Sequence, residues 1–596
     1  MDFYGFYTGQ EFEAYKYLGA HPAKAGTAFR TFAPKASKIS VIGDFSQWQE
    51  LEMKRIYDGN FWEAVIPEAQ PGMRYKFRIY RADGTFLDHC DPYGFSAELR
   101  PGTASVIAAP CHIFGDRKWM RGRRDSSQRP VNIYELHFGS WRKKGDGETD
   151  WYSYGELGPI LIPWLRENGY NYVELMPLGE YPHDGSWGYQ ATGFFAPTSR
   201  YGTPEQLQEF VDLCHQNGIG VLLDFVPVHF AVNDYALWNY DGTALYEYPS
   251  QDVGRNQWGS CNFMHSRGEV RSFLQSAAFY WLSEYHFDGL RMDAVNNLIY
   301  WQGQPDRGVC QPGVRFLQNM NAGLKKRIPD AMLIAEDSSA FPGVTRPADQ
   351  DGLGFDYKWD MGWMNDTLNY FRTEPSRRPD HSGLLTFSMA YFYNERYLLP
   401  FSHDESVHGK ATILQKMWGD YEGKFPQARA LYLYMAAHPG KKLNFMGNEF
   451  GQLREWDETR EQDWNLLSYP KHSSFLLFMR ELNKLYLCQP AFYEEDYVDS
   501  GFLWVRPSGG PECVFAFERR SQKQRLLFCF CFGDKAPEPV SLNLEAEENS
   551  RLALLLDTEW QRFGGSRPET RLEIPMKKGR VLLSPAPFSG QCYLIC

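Results

Sequence analysis

Residues 203–224 read TPEQLQEFVDLCHQNGIGVLLD, a helix and a strand written end to end. Thr203 can cap a helix, and Pro204 stands at the first helical position, where a missing N–H costs nothing. Leu207, Phe210, Val211 and Cys214 then recur at helical spacing, and Gly218 stops the helix. The apolar run 220–224 follows, of strand length, and it ends in the carboxylate of Asp224.

The same alternation extends in both directions. Strand-like runs fall at 132–136, 172–176, 220–224, 289–293, 332–336, 355–359, 397–401 and 442–446. Most intervals hold a helix. One spans 270–285, with Phe273, Leu274, Ala277, Ala278 and Trp281 on one face; another spans 426–437, ended by Pro439 and Gly440. Eight β-then-α units predict a closed (β/α)8 TIM barrel. About 45 residues separate Phe225 from Glu269, which predicts a small loop subdomain at about 226–269. Ahead of the barrel, runs at 28–33, 38–42, 61–65 and 74–80, punctuated by turns at Asp58-Gly59-Asn60 and Ala82-Asp83-Gly84, predict a β-sandwich. Behind it, runs at 502–506, 513–519, 526–532, 553–557 and 571–574 predict a second all-β domain. The expected domains are residues 1–116, 117–489 and 490–596.

Composition narrows the function. The net charge is −12 and no basic stripe interrupts it, so nucleic acid is a poor partner and a neutral substrate fits better. The short basic run 117–124 reads as a solvated linker. The 11 cysteines form no Cys-x-x-Cys pair, so neither a zinc site nor a redox motif is expected, and scattered thiols suit a reducing cytosol. The start of the chain lacks a basic region followed by an apolar run, and no apolar run of about 18 residues occurs. A cytoplasmic protein without a membrane partner is expected, and a monomer.

Barrel strands present catalytic groups from their C-terminal ends. The third strand ends in Asp224, with His229 just beyond; the fourth in Arg291 and Asp293; the fifth in Glu336; the seventh in His403 and Asp404. Like charges gathered on one rim cost free energy, so their concentration points to use. A carboxylate pair suits glycosidic chemistry, one group attacking the sugar carbon and the other protonating the leaving oxygen. Retention requires the pair about 5–5.5 Å apart, a separation that neighbouring strands can hold. Asp293 and Glu336 are the natural pair. Arg291, two residues before Asp293, faces the same side of its strand and would keep that carboxylate ionised. His229 and His403 could donate to sugar hydroxyls.

The segments 224–229 (DFVPVH), 289–293 (GLRMD), 336–338 (EDS) and 403–404 (HD) resemble the four conserved regions of the α-amylase superfamily. Within it the chain resembles the glycogen branching enzymes, through 17–22 (YLGAHP), 133–137 (IYELH), 139–141 (GSW), 185–190 (GSWGYQ), 195–204 (FAPTSRYGTP), 400–405 (PFSHDE), 408–410 (HGK) and 445–452 (FMGNEFGQ). The likeness covers nearly the whole chain, and 43–48 (GDFSQW) is similar to a carbohydrate-binding module. The resemblance implies that Asp293 is the nucleophile, Glu336 the general acid/base and Asp404 the carboxylate that stabilises the transition state. It implies that Tyr189 stacks under the sugar at the cleavage point, and that Asp224, His229, Arg291 and His403 shape that subsite. Donor and acceptor would be α-glucans such as glycogen, amylose or amylopectin, with no metal and no cofactor. The product would be an α-1,6 branch made from a cleaved α-1,4 linkage. A hydrolase of the same superfamily, of amylase, debranching or maltooligosyltrehalose-cleaving type, is the alternative; an inactive glucan-binding protein is a more distant one. Tyr181, Phe225 and Ser406 depart from the pattern, none at a presumed catalytic position.

Overall fold

The computed structural model of the chain describes residues 1–109, 111–545, 547 and 550–596. Eight parallel strands follow one another around a closed barrel: β1 (Asn132–Leu136), β2 (Tyr172–Leu175), β3 (Gly220–Phe225), β4 (Gly289–Met292), β5 (Met332–Ala335), β6 (Tyr357–Trp359), β7 (Tyr397–Phe401) and β8 (Lys441–Phe445). Each lies within two residues of its expected place. Almost every residue in them is buried, as parallel strands covered on both faces require. Asp293 and Glu336 each sit one residue beyond their strand.

Contacts divide the chain into two compact units, the first made of residues 1–123, 137–162 and 174–356. Its N-terminal part holds two antiparallel sheets. One orders Gly19–Ala23, Gly26–Phe32, Phe61–Ile66 and Lys54–Ile56; the other orders Leu51–Glu52, Lys38–Gly43, Arg74–Tyr80 and Phe86–His89. Phe29, Ile39, Val41, Tyr75 and Phe77 are buried among them. Trp48 is partly exposed, so it does not fill the core. A helix at Phe3–Thr8 was not legible, because six residues are too few to show a period. It packs on the helix Gly268–Glu284, where the Ser272 hydroxyl donates to the Phe6 carbonyl at 3.0 Å.

In the same unit β3, β4 and β5 pair in parallel. The helix Pro204–Gln216 starts as expected: Thr203 Oγ1 accepts from Gln206 N–H, and Gln206 Oε1 accepts from Thr203 N–H at 3.0 Å. Asn217 closes it, and Gly218 follows at φ +77°. The subdomain after β3 is built on a hairpin, His229–Phe230 against Cys261–Asn262, with a four-residue helix at Gln251–Gly254. The basic run is only partly a solvated linker. It forms a helix, Arg117–Gly122, whose Trp119 donates to Asp288 Oδ1 at 2.8 Å, and Arg123 lies 3.7 Å from the same carboxylate. A buried acid beneath the strands draws these side chains in, while Arg117, Lys118, Arg121 and Arg124 stay exposed.

The second unit comprises residues 124–136, 163–173 and 357–596. It pairs β6 with β7, β7 with β8 and β8 with β1. Its helix Tyr421–Ala437 begins five residues before the expected start at 426. Asp420 caps it, accepting from Gly423 N–H at 2.9 Å, and this cap together with burial of most of the helix outweighs the loss of one N–H at Pro426. The helix Pro470–Cys488 precedes a six-stranded sheet, Phe502–Arg506, Val514–Arg520, Arg525–Cys531, Ser589–Ile595, Arg551–Asp557 and Glu573–Pro575 in that order. Val540–Asn543 and Arg580–Leu583 form a further pair. Lys441 and Arg519, both fully buried, close on Asp496 at 2.9 and 2.7 Å.

Candidate active site

The register of β3, β4 and β5 builds one cluster at their C-terminal ends. Asp224 stands opposite Arg291, and Met292 opposite Ala335, which brings Asp293 and Glu336 to neighbouring strand ends. Glu336 N–H donates to the Met292 carbonyl at 3.0 Å, and Asp293 N–H to the Phe225 carbonyl at 3.1 Å. Gly289 permits this pairing. A Cβ there would lie 2.1 Å from the Met332 carbonyl oxygen, so any larger residue would push β4 off β5.

Arg291 is the hub and is buried. Its Nη1 donates to Asp224 Oδ1 and Oδ2 at 2.8 and 2.7 Å and to Asp293 Oδ1 at 2.7 Å, while Nη2 lies 4.0 Å from Glu336 Oε2. Burial works against a charged guanidinium here. Asp224 and the other acids outweigh it and hold Arg291 protonated well above the usual range. The arginine therefore offsets the repulsion that would otherwise disperse three carboxyls.

The two central carboxyls differ. Asp293 takes a direct charge-assisted hydrogen bond, whereas Glu336 receives the backbone N–H of Ala294 at 2.7 Å. Ala294 has φ +47°, a left-handed conformation uncommon outside glycine, and that turn aims its N–H. Val295 N–H also donates to the Glu336 carbonyl at 2.9 Å. The side chains of Asp293 and Glu336 each keep 15% of their surface exposed, enough to reach a ligand.

Tyr189 and His229 complete this group. The Tyr189 hydroxyl donates to Asp224 Oδ2 at 2.6 Å, and its ring centre lies 5.9 Å from the Arg291 guanidinium. His229 is buried, and burial pushes its pKa down to about 4, so the ring is neutral at ordinary pH. Its Nδ1 has no hydrogen-bond partner among the described residues. His403 and Asp404 belong to the second unit, just beyond β7. His403 donates its backbone N–H to Glu135 Oε2 at 2.8 Å, and its Nδ1 meets Glu135 Oε1 at 2.6 Å. Its Nε2 lies 3.5 Å from Asp404, whose side chain is 41% exposed.

Sequence reasoning did not single out Glu135 or the Ala294 N–H. Glu135 lay within the quoted segment 133–137, and an acid inside an apolar strand was the signal for it. The left-handed turn at Ala294 left none. Tyr181 is structural: Arg200 stacks on its ring at 3.8 Å and donates to its carbonyl at 2.8 Å. Phe225 and Ser406 are buried.

The model of carbohydrate-binding module 48, the isoamylase N-terminal domain, matches residues 17–94. Among solved structures, the pullulanase of Anoxybacillus sp. LM18-11 complexed with maltotetraose superposes with a TM-score of 0.74 at 16% identity, over 97% of this chain and 87% of that one. Pullulanase from Bacillus acidopullulyticus gives 0.72 at 16%, over 97% and 74%. The fold is thus the one these two pullulanases share, a (β/α)8 barrel with a β-sheet module ahead of it and an all-β domain behind it. Closer relatives exist in sequence. The 1,4-alpha-glucan branching enzyme GlgB of Fusobacterium nucleatum is 43% identical over 95% of this chain and 93% of its own length; that of Bacillus subtilis is 40% identical over 100% and 95%. The chain belongs to the 1,4-alpha-glucan branching enzyme family.

Proposed function

We propose that this chain makes α-1,6 branches in α-glucans by a two-step displacement at the ends of β4 and β5. Glu336 protonates the oxygen of an α-1,4 linkage while Asp293 attacks the sugar carbon. The fragment with the reducing end leaves and a covalent glucosyl-enzyme remains. Glu336, now a base, takes the proton from the 6-hydroxyl of an acceptor chain, whose oxygen displaces Asp293. Arg291 holds Asp293 ionised and aimed, and Asp224 anchors Arg291. Tyr189 stacks under the sugar at the cleavage point and His229 binds its hydroxyls, while His403 is assigned a hydroxyl-binding role on the family motif. Asp404 is assigned the third carboxylate role on the family motif.

One observation supports the central pair above all others. Asp293 and Glu336 flank a single guanidinium from adjacent strands, and only Asp293 bonds to it directly. That asymmetry suits a nucleophile kept charged beside a group that must carry a proton. Transfer must outcompete water, and holding the acceptor in place supplies the advantage, since effective molarities of positioned groups reach about 10⁵ M and above.

Linkage analysis of amylose treated with the protein tests the reading. New α-1,6 signals by NMR, with falling iodine staining and few new reducing ends, are expected. Reducing ends rising in step with cleavage would instead identify a hydrolase.

A further inference from the structure

The subdomain after β3 carries an exposed indole beside the site. Trp258 keeps 44% of its surface in contact with solvent. Single exposed apolar side chains are ordinary, but the backbone under this one is held. Its carbonyl accepts from Gln190 Nε2 at 3.1 Å, and its N–H donates to Asn256 Oδ1 at 3.1 Å. Asn256 in turn donates to Asn262 on the subdomain hairpin at 3.1 Å. Gln190 follows directly on Tyr189, whose hydroxyl bonds Asp224, so the backbone that carries the indole is tied to the candidate cluster through one peptide link. The indole and the His229 ring lie 5.3 Å apart between centres, tilted by 37°. His229 adds the second observation: a buried, uncharged ring with one nitrogen unsatisfied. A buried polar atom without a partner costs free energy, and that cost is relieved if a ligand supplies the partner.

An apolar face held in place next to an unmet hydrogen-bonding nitrogen suits an uncharged ligand with one C–H-rich face and hydroxyls at its edge. A pyranose ring has that form. We propose that Trp258 is a specificity-determining glucan-binding residue, stacking on a glucosyl unit next to the cleavage point while His229 meets that chain's hydroxyls. This rests on the reading that Asp293 and Glu336 cleave at this rim. Tethering through Gln190 and Asn256 fixes the backbone beneath the indole, and the His229 ring flanks it, so binding has mainly the side-chain torsions left to order.

The test uses the full chain carrying Glu336→Gln, with Trp258→Ala and Trp258→Phe added separately, and maltoheptaose as the probe in calorimetry. Trp258→Ala is expected to weaken binding by up to about tenfold and Trp258→Phe to restore most of it. In the catalytically intact chain, Trp258→Ala should raise KM for amylose by a larger factor than it lowers kcat. The melting temperature should stay within about 2 °C, because the ring is exposed. Unchanged maltoheptaose affinity in Trp258→Ala would overturn the subsite. So would a loss of affinity that tracks a fall in melting temperature and is not rescued by Trp258→Phe. Affinity is read without turnover, so an active Glu336→Gln would strike the catalytic assignment alone.

Discussion

β3 and β4 carry a charge cluster at each end. At their N-terminal ends, His215 Nδ1 meets Asp116 at 2.8 Å and Nε2 meets Asp288 at 2.9 Å, and Asp288 also accepts the Val221 N–H at 2.8 Å. Trp119 stacks on His215 with 5.2 Å between ring centres, and Phe114 on His286, whose Nδ1 also meets Asp116 at 2.8 Å. At their C-terminal ends stand Asp224, Arg291 and Asp293. Both clusters bury acids against a cation. They differ in closure. Below, both nitrogens of His215 are taken, aromatic rings cover the imidazoles, and the acid side chains are at most 5% exposed. Above, Asp293 stays 15% exposed and His229 keeps an unmet nitrogen. A closed cluster can only hold strands together, whereas an open one can bind. The barrel rule that one rim serves stability and the other chemistry assigns opposite roles to the two ends of the same two strands.

The largest expected effect would break the comparison at the upper end. Asp293→Asn should cut branching activity by at least about 10³-fold, with far-ultraviolet dichroism unchanged. Activity near that of the unaltered chain would remove the functional meaning of the open cluster. Next, His215→Ala removes the imidazole that Asp116 and Asp288 share and leaves both acids buried. A loss of about 3 kcal/mol or more in denaturant unfolding is expected, with kcat per folded molecule preserved. A catalytic defect without destabilisation would reverse the roles assigned to the two ends. Arg291→Lys keeps a charge but loses the planar guanidinium that places Nη1 between Asp224 and Asp293 with Nη2 towards Glu336, so kcat should fall by about 10²-fold without unfolding.

The smallest effect is a pH dependence confined to the lower end. Burial alone would depress His215, but Asp288 and Asp116 win and raise it to about 9 from an ordinary 6.5. A folded-state pKa above the unfolded one stabilises fully below about pH 6.5, and the benefit is lost as pH rises towards 9. Asp116 and Asp288 are held below the usual carboxylate range despite their burial, chiefly by His215 and, for Asp116, also by His286. Their contribution is present above about pH 4 and is lost on acidification. Unfolding free energy should therefore fall by roughly 2–3 kcal/mol between pH 6.5 and 9, and His215→Ala should abolish that slope.

The barrel was legible because each strand is covered on both faces and so reads as an apolar run of strand length between helical periods. The acids at the strand ends were legible for the same reason: a carboxylate that closes an apolar run stands out, as at Asp224, Asp293 and Glu336. Elements without such contrast were missed. Val540–Asn543 and Arg580–Leu583 alternate buried and exposed over only four residues, and Phe3–Thr8 makes little more than one helical turn. At 421–437 a proline within the helix masked its true start.

Local patterning thus determined which residues lie in strands, which ends carry acids, and through motif likeness which family the chain resembles. It could not decide which acids share a cation. Arg291 could have paired within its own strand alone, and only the register with β3 brings Asp224 to it. The Ala294 N–H that meets Glu336, the Glu135 that fixes His403 and the tethering of Trp258 by Gln190 also depend on distant segments meeting. Periodicity is a property of neighbours along the chain. Electrostatic pairing and closure to solvent arise between segments that folding brings together, and those decided which charge cluster is closed and which stays open.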